Sequence, residues 1–359
     1  MIQTIEDIQR LVKTGFTNWK EHGAVSVNDV GFGYQFNYTP LAVYRNEWTP
    51  LETMSRGLII GYDGAIIARP FDKFFNWGEH GRTTESPVSY VMEKVDGSMG
   101  SVFLNPQTKK PQVATRGSVD NEQSRWATER LRLHHVKPLL VQGFTLIVEI
   151  VYPENRIVVD YDGREYLALL AIRHNKTGRF LPLRKLEICS LACGIPLAET
   201  YEAKEPAQLV ELLPALSVNE EGFVAVFESG ERFKFKGDAY KQAHRVLSGI
   251  SYKRTIEYME NDDLDTLFDI VPDEWLDTVK AWISSIEGHV GIVSEAVSRY
   301  LDVDREAKEL VRALQDDNAS KLLFTCTMNA YRNKPFKPLI LKHLKRDASA
   351  KSLIFGGEV

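Results

Sequence analysis

Hydrophobic periodicity changes character once along this chain, near residue 248, and that change limits the folds open to it. Before it, apolar residues come in short runs of strand length. "GLIIGYDGAIIARPF" sets residues 58–60 and 65–68 on either side of Asp63-Gly64, a strong hairpin signal. "YVMEKV" and "GSVFLN" flank a second turn at residues 96–98 and read as another hairpin. "PQVATRG", "FTLIVEIVY" and "YLALLAIRH" read as strands, and "EGFVAVFESGERFKFKG" as a hairpin around Ser229-Gly230. "QSRWATERLRLHHVKPLL" has helical spacing, with Trp126, Leu131 and Leu133 on its apolar side. After residue 248 helical spacing takes over in several segments. Leu276, Val279, Ile283, Ile286, Val290, Val293, Val297 and Leu301 fall at steps of three and four, which predicts one long amphipathic helix. "REAKELVRALQ", "ASKLLFTCTMNAYR" and "KPLILKHLKR" continue the pattern. The expectation is an α+β domain over residues 1–247 and an all-α domain over residues 248–359.

Bulk properties narrow the function classes. A chain of 359 residues accommodates two such domains. Its formal net charge of -5 gives no global basic field, so a nucleic acid must be met by a local groove or patch. Three cysteines, Cys189, Cys193 and Cys326, are too few for a disulfide framework and fit a reducing cytoplasm. Cys189 and Cys193 lack two further ligands for zinc and read as core thiols. No apolar run approaches the ~20 residues of a membrane span. The opening "MIQTIEDIQRLVKTGF" reads as an amphipathic helix carrying acids rather than a signal or transit peptide.

The candidate chemistry begins at Lys94. A bare Lys-x-Asp-Gly carries little weight, since roughly one unrelated chain in ten of this length holds it by chance. Four other residues change its meaning. Glu149 sits in the middle of an apolar strand, where an ionised acid is costly unless it has a partner or lines a polar cavity. Glu221-Gly222 opens another strand. Lys234 and Lys236 alternate with Phe233 and Phe235, so period two puts both lysines on one sheet face. Like charges side by side on a strand are costly unless an anion lies between them. Nucleotidyl transfer needs such a set. A lysine amine attacks the α-phosphate of a nucleoside triphosphate, and the ordinary lysine pKa of about 10.4 must fall for the amine to be free. Cations stabilise the phosphate charge, and carboxylates hold Mg2+ through retained waters.

"EKVDGSMG", "LIVEIVYPENRIVVDY", "EEGFVAVF" and "FKFKG", in that order, resemble the motifs of the covalent nucleotidyltransferase superfamily of ATP-dependent ligases and mRNA capping enzymes. "MSRGLII", "RPFDKFFNWGE" and "PENRIVVDY" are similar to the phage RNA ligase 1 family, the tRNA-repair type. The resemblance covers about residues 40–245 by motif and the tail only by class. It implies an ATP-grasp-like ligase domain of antiparallel sheets with flanking helices, followed by a helical domain. It implies Lys94 as the adenylated nucleophile, Asp96 and Gly97 shaping its loop and helping to position the nucleotide, Glu93 and Gly222 among the ATP-binding residues, and Glu149 and Glu221 orienting the ribose or a metal-bound water. Lys234 and Lys236 would contact the α-phosphate. Arg56, Lys73 and Arg116 would serve the β- and γ-phosphates or the RNA phosphate, and Arg116 stands where the family favours lysine. Phe75 is a stacking candidate as readily as a core aromatic. Tyr240 borders the pocket or simply packs. The implied cofactors are ATP and Mg2+ or Mn2+. The implied partner is RNA with 5′-phosphate and 3′-hydroxyl ends, nicked tRNA among them, with no membrane. The enzyme would be a monomer in a host cytoplasm. A DNA ligase or capping-type guanylyltransferase would use the same lysine, and a non-catalytic RNA-binding relative would keep only the fold.

The tail is unevenly charged. Residues 257–277 hold nine acids and no Lys or Arg. Residues 332–346 hold Arg332, Lys334, Lys337, Lys342, Lys345 and Arg346 and no acid, a candidate RNA-contact surface or a plain solvated helix. His134-His135 reads as a surface pair without a partner acid.

Overall fold

The computed structural model describes residues 2–202, 204–303 and 305–346. The chain divides into two compact units, Met1–Leu247 and Ser248–Val359. Among its described residues the first unit carries thirteen strands: β1 (Val25–Asp29), β2 (Gly33–Tyr38), β3 (Arg56–Gly61), β4 (Ile66–Ala68), β5 (Phe75–Asn76), β6 (Val88–Glu93), β7 (Ser98–Leu104), β8 (Pro111–Thr115), β9 (Phe144–Val151), β10 (Tyr166–His174), β11 (Thr200–Tyr201), β12 (Gly222–Phe227) and β13 (Arg232–Lys236). They form three sheets, with strand orders β1-β2-β3-β4, β10-β9-β7-β8 and β11-β6-β12-β13-β5. All pairings are antiparallel except β13 with β5.

Each sheet finds its cover from nearby sequence. The N-terminal helix Ile5–Lys13, capped by Thr4, lays Ile5, Ile8 and Val12 on the first sheet against Phe36, Leu58 and Ile60. The β10-β9-β7-β8 sheet buries Val102, Leu146, Val148 and Ile150 under helices that contribute Ala127, Val136, Leu140 and Leu186. In the third sheet Val91, Ala225, Phe227, Phe233 and Phe235 face one way and pack with Leu209 and Trp77. Period two then turns Tyr90, Met92, Val224, Val226, Arg232, Lys234 and Lys236 to the opposite face.

Two readings of the sequence are corrected here. The runs around Lys94 are not a hairpin: β6 pairs with β11 and β12, whereas β7 pairs with β8 and β9 in another sheet. Residues 94–97 are therefore a crossover between sheets, because the polar groups that a hairpin would pair internally are claimed from outside. The helical stretch after β8 is two helices, Glu122–Glu129 and Leu133–Val141. The break buries Leu131 and leaves Leu133 exposed, so only Trp126 and Leu131 of the predicted stripe pack on the core.

The second unit is helical. The helix Leu276–Leu301 buries Val279, Ile283, Ile286, Val293 and Val297. Around that stripe pack residues from Tyr252–Glu260, Leu264–Ile270, Ala307–Asp316, Lys321–Tyr331 and Lys337–Leu344. No helix among the described residues is long and apolar enough to cross a membrane.

Candidate active site

The polar face of the third sheet and β7, β9 and β10 of the second enclose a cavity of about 210 Å³. Pairing registers set out its sheet wall. Val226 is opposite Tyr90 and Arg232, Val224 is opposite Met92 and Lys234, and Gly222 is opposite Lys236. Lys94 continues the last row, since its backbone N–H donates to the Gly222 carbonyl at 2.9 Å. Met99, Glu149 and Leu170 line the cavity from the other sheet, and Arg56 and Phe74 line it too.

Gly222 and Gly97 make this close approach possible. Gly222 has φ +134°, and a Cβ there would lie 2.0 Å from the Phe235 carbonyl oxygen. A Cβ on Gly97 would lie 2.6 Å from the Ile150 carbonyl oxygen and 3.1 Å from the Glu149 side chain. The crossover that carries Lys94 thus rests directly on β9 beside Glu149.

Lys94 Nζ lies 2.7 Å from Glu221 Oε1, and Lys236 Nζ lies 3.7 Å from the same oxygen. Glu221 is buried, with both amines within ion-pair distance of one carboxyl oxygen. Glu149 faces the cavity with its pKa pushed up to about 8. Burial is the main cause and the Glu221 and Asp96 charges add to it, while Lys94 and Arg56 oppose it. Burial also raises the pKa of Glu93, with the Glu199 charge adding to it. Deeper along the wall, burial works against the charge of Arg232, which Tyr90 partly supports.

Asp96 does not line this cavity. Its carboxylate accepts the N–H groups of Val158 and Val159, each at 2.8 Å, and the Tyr240 hydroxyl at 2.8 Å. The Asp96 N–H donates to Tyr161 Oη. Tyr240 is fully buried on the helix Asp238–Leu247. These bonds anchor the turn that carries Lys94, a positioning role that the sequence spacing does not reveal. Ser98 Oγ bonds to Asn155, and Met99 Sδ receives Arg56 Nη1 at 3.4 Å.

The structure brings Arg56, Glu93, Lys94, Gly97, Glu149, Lys234 and Lys236 to one cavity wall, with Glu221 and Gly222 directly behind Lys94. Lys73, Phe75 and Arg116 lie elsewhere. Lys73 and Phe75 line a neighbouring cavity, and Phe74 takes the place in the first that the sequence suggested for Phe75. Arg116 is exposed and sits against Tyr38, 3.2 Å from its hydroxyl. Tyr90, Met92, Phe74 and Arg232 went unnoticed in the sequence. Tyr90 and Met92 share the parity of Lys94 on β6, and Arg232 that of Lys234, so period two was the signal available. His134 and His135 are exposed, Cys193 and Cys326 are buried, and Cys189 is half-buried.

Antiparallel sheets enclosing a lysine, two glutamates and a lysine pair define the nucleotidyltransferase fold. An archaeal ATP-dependent RNA ligase aligns with a TM-score of 0.50 at 16% identity, over 88% of this chain and 90% of that one, a likeness of fold. The RNA ligase family model matches residues 54–244, more than half of the sequence, and the chain belongs to that family. A relative from Thermovibrio ammonificans, provisionally named an RNA ligase, is 31% identical over 241 residues. The match covers 61% of this chain and 61% of that protein's length. The RNA ligase of Rhodothermus phage RM378 is 23% identical over 339 residues, covering 75% of this chain and 76% of its own.

Proposed function

We propose that this chain is an ATP-dependent RNA ligase that joins 3′-hydroxyl and 5′-phosphate ends, acting as a monomer in the cytoplasm in repair of RNA such as nicked tRNA. One observation carries the reading: the Lys94 amine, 2.7 Å from a buried Glu221, opens onto a cavity lined by Arg56, Lys234, Lys236 and Glu149. The neutral Lys94 amine forms a P–N bond to the ATP α-phosphorus while the bond to pyrophosphate breaks. Glu221 is the group placed to take the amine proton. Lys236 and Lys234 face the phosphate oxygens and stabilise their charge as the bonds exchange. An oxygen of the RNA 5′-phosphate then attacks the bound AMP. The P–N bond breaks, and Lys94 nitrogen recovers a proton. Finally the RNA 3′-hydroxyl oxygen attacks the activated 5′-phosphorus, loses its proton, and displaces AMP.

Among the described residues no group of three or more His, Cys, Asp or Glu could hold a metal ion. Glu149 fits a different arrangement: a carboxylate on the cavity wall would suit Mg2+ or Mn2+, ions that bind through few protein ligands and retained waters. Such an ion, when bound, neutralises phosphate charge. The protein's own part is to hold Glu149 on β9 facing the α-phosphate position.

Labelled ATP with a divalent metal tests the reading. The expected product is an acid-labile AMP adduct on the wild-type protein that is absent in Lys94→Ala, followed by joining of single-stranded RNA. A GMP adduct points to a capping-type enzyme, and joining of nicked DNA alone points to a DNA ligase. No adduct, with RNA binding indifferent to Lys94→Ala, leaves only a binding protein.

A further inference from the structure

A second cavity, of about 440 Å³, adjoins the first and shares Phe71, Phe74 and Arg232 with it. Its lining is cationic and aromatic. The Arg82 guanidinium sits 4.1 Å from the Phe75 ring centroid, and Lys73 Nζ is 5.4 Å from the same centroid. The Arg232 guanidinium sits 3.7 Å from the Phe180 centroid, with Arg173 at 4.9 Å. The two acids of the lining are engaged. Asp72 forms a bidentate pair with Arg173 at 2.9 and 2.7 Å, and Glu231 accepts the hydroxyls of Thr84 and Ser229 at 2.6 and 2.8 Å. Arg173 is taken up by Asp72 and the Pro70 and Gly178 carbonyls, whereas Arg82 Nη1 donates to the Glu79 carbonyl at 3.4 Å and Arg232 Nη1 to the Gly230 carbonyl at 3.0 Å, bonds that engage only part of each guanidinium edge. Such edges match phosphate oxygens.

The position of this cavity decides which phosphate. Arg56 and Lys234 flank Phe74 on the side of the first cavity, 5.6 and 5.5 Å from its ring centroid. A chain of cations therefore runs from Arg82, past the shared wall of Phe74 and Arg232, to Lys234 and Lys236 beside Lys94. A 3′-terminal nucleotide carries a neutral hydroxyl and one monoanionic phosphodiester, whereas a 5′-terminal nucleotide carries a dianionic terminal phosphate besides its phosphodiester, and so calls for more cations. We propose that this second cavity seats the 5′-terminal nucleotide of the RNA that receives AMP, with its terminal phosphate directed past Phe74 toward Lys94. The proposal rests on the ligase reading above and extends it to the substrate strand.

Arg82 is half-exposed on the rim, outside the nucleotide cavity, and so tests the idea. Three measurements on full-length wild type, Arg82→Ala and Arg82→Lys separate the steps: adduct formation from ATP, AMP transfer to 5′-phosphorylated RNA, and sealing of RNA supplied already adenylated. With Arg82→Ala, AMP transfer falls about tenfold or more, the size of a lost charge-assisted contact, and the KM for 5′-phosphorylated RNA rises. Arg82→Lys recovers part of the loss, and adduct formation stays at the wild-type rate. A raised KM for ATP in adduct formation would mean that the cavity holds the triphosphate tail, and would overturn the proposal. A defect confined to sealing would assign the cavity to the 3′ end and overturn it equally, as would normal AMP transfer in Arg82→Ala. A wild type that forms no adduct refutes the ligase reading itself, so the two failures are distinguishable.

Discussion

At the scale of single residues, the site depends on charges held where water cannot freely solvate them. Glu149 is the clearest case, with a pKa pushed up from 4.5 to about 8 chiefly by burial. A group raised in this way favours its protonated form in the fold. Its contribution to stability is complete below the unfolded value and is lost as pH rises through the folded one. The wild-type melting temperature should therefore decline between about pH 5 and pH 8 in part because of Glu149. Glu149→Gln should flatten that decline and raise the melting temperature at pH 8 by several degrees, while AMP-adduct formation falls steeply. Thermal melts of both proteins across this range check it; parallel curves would show that Glu149 does not titrate there. The sequence exposed Glu149 as an anomaly because an acid in "TLIVEIVY" has no cheap explanation. Asp96 was legible only as a turn residue. Its three acceptor bonds come from Val158, Val159 and Tyr240, which lie 62 to 144 positions away and leave no periodic trace.

At the scale of elements, β12 and β13 transmit order from the sheet to Lys94. Gly222 is the narrow point, opposite Lys236 and bonded through its carbonyl to the Lys94 N–H. Gly222→Ala would force a methyl to within 2.0 Å of the Phe235 carbonyl at a φ of +134°. The cost should be on the order of 3 kcal/mol, through strain and a displaced strand pair. Denaturant unfolding should register that loss, and adduct formation should fall even at temperatures where the variant remains folded. A variant of wild-type stability and rate would mean that the backbone there relaxes without consequence. Most elements were readable because their periods are strong: the β3-β4 and β12-β13 hairpins and the helix Leu276–Leu301 follow the sequence pattern closely. The crossover at Lys94 was not. A turn between two apolar runs looks the same whether the runs pair with each other or with strands elsewhere in the chain. The helices Tyr252–Glu260 and Leu264–Ile270 were hidden for a related reason, being short and crowded with acids that dilute the apolar stripe.

At the scale of the molecule, a chain of net charge -5 must concentrate positive potential locally to hold RNA. In the first unit the cavity beside Lys94 gathers Arg56, Lys94, Arg232, Lys234 and Lys236. In the second, the structure sorts the basic run of residues 332–346 into two kinds. Lys345 pairs with Glu260 at 2.5 Å and lies 3.9 Å from Glu257, so the acidic and basic runs meet within this unit. Arg332, Lys334, Lys337, Lys342 and Arg346 are exposed, and Tyr331 beside them is 40% exposed. Cations spaced around an exposed aromatic suit a single-stranded or looped RNA backbone. If they contact it, replacing Arg332, Lys334 and Lys337 together with alanine weakens binding across unrelated RNA sequences and reduces the salt dependence. Each lost phosphate contact should lower the slope of log K against log salt by about 0.7. Lys345→Ala should instead lower stability with little change in that slope, because its charge is spent on Glu260. Binding titrations at several salt concentrations separate the two outcomes. An unchanged slope in the triple variant would leave these residues as a solvated helix face and place all phosphate recognition in the first unit.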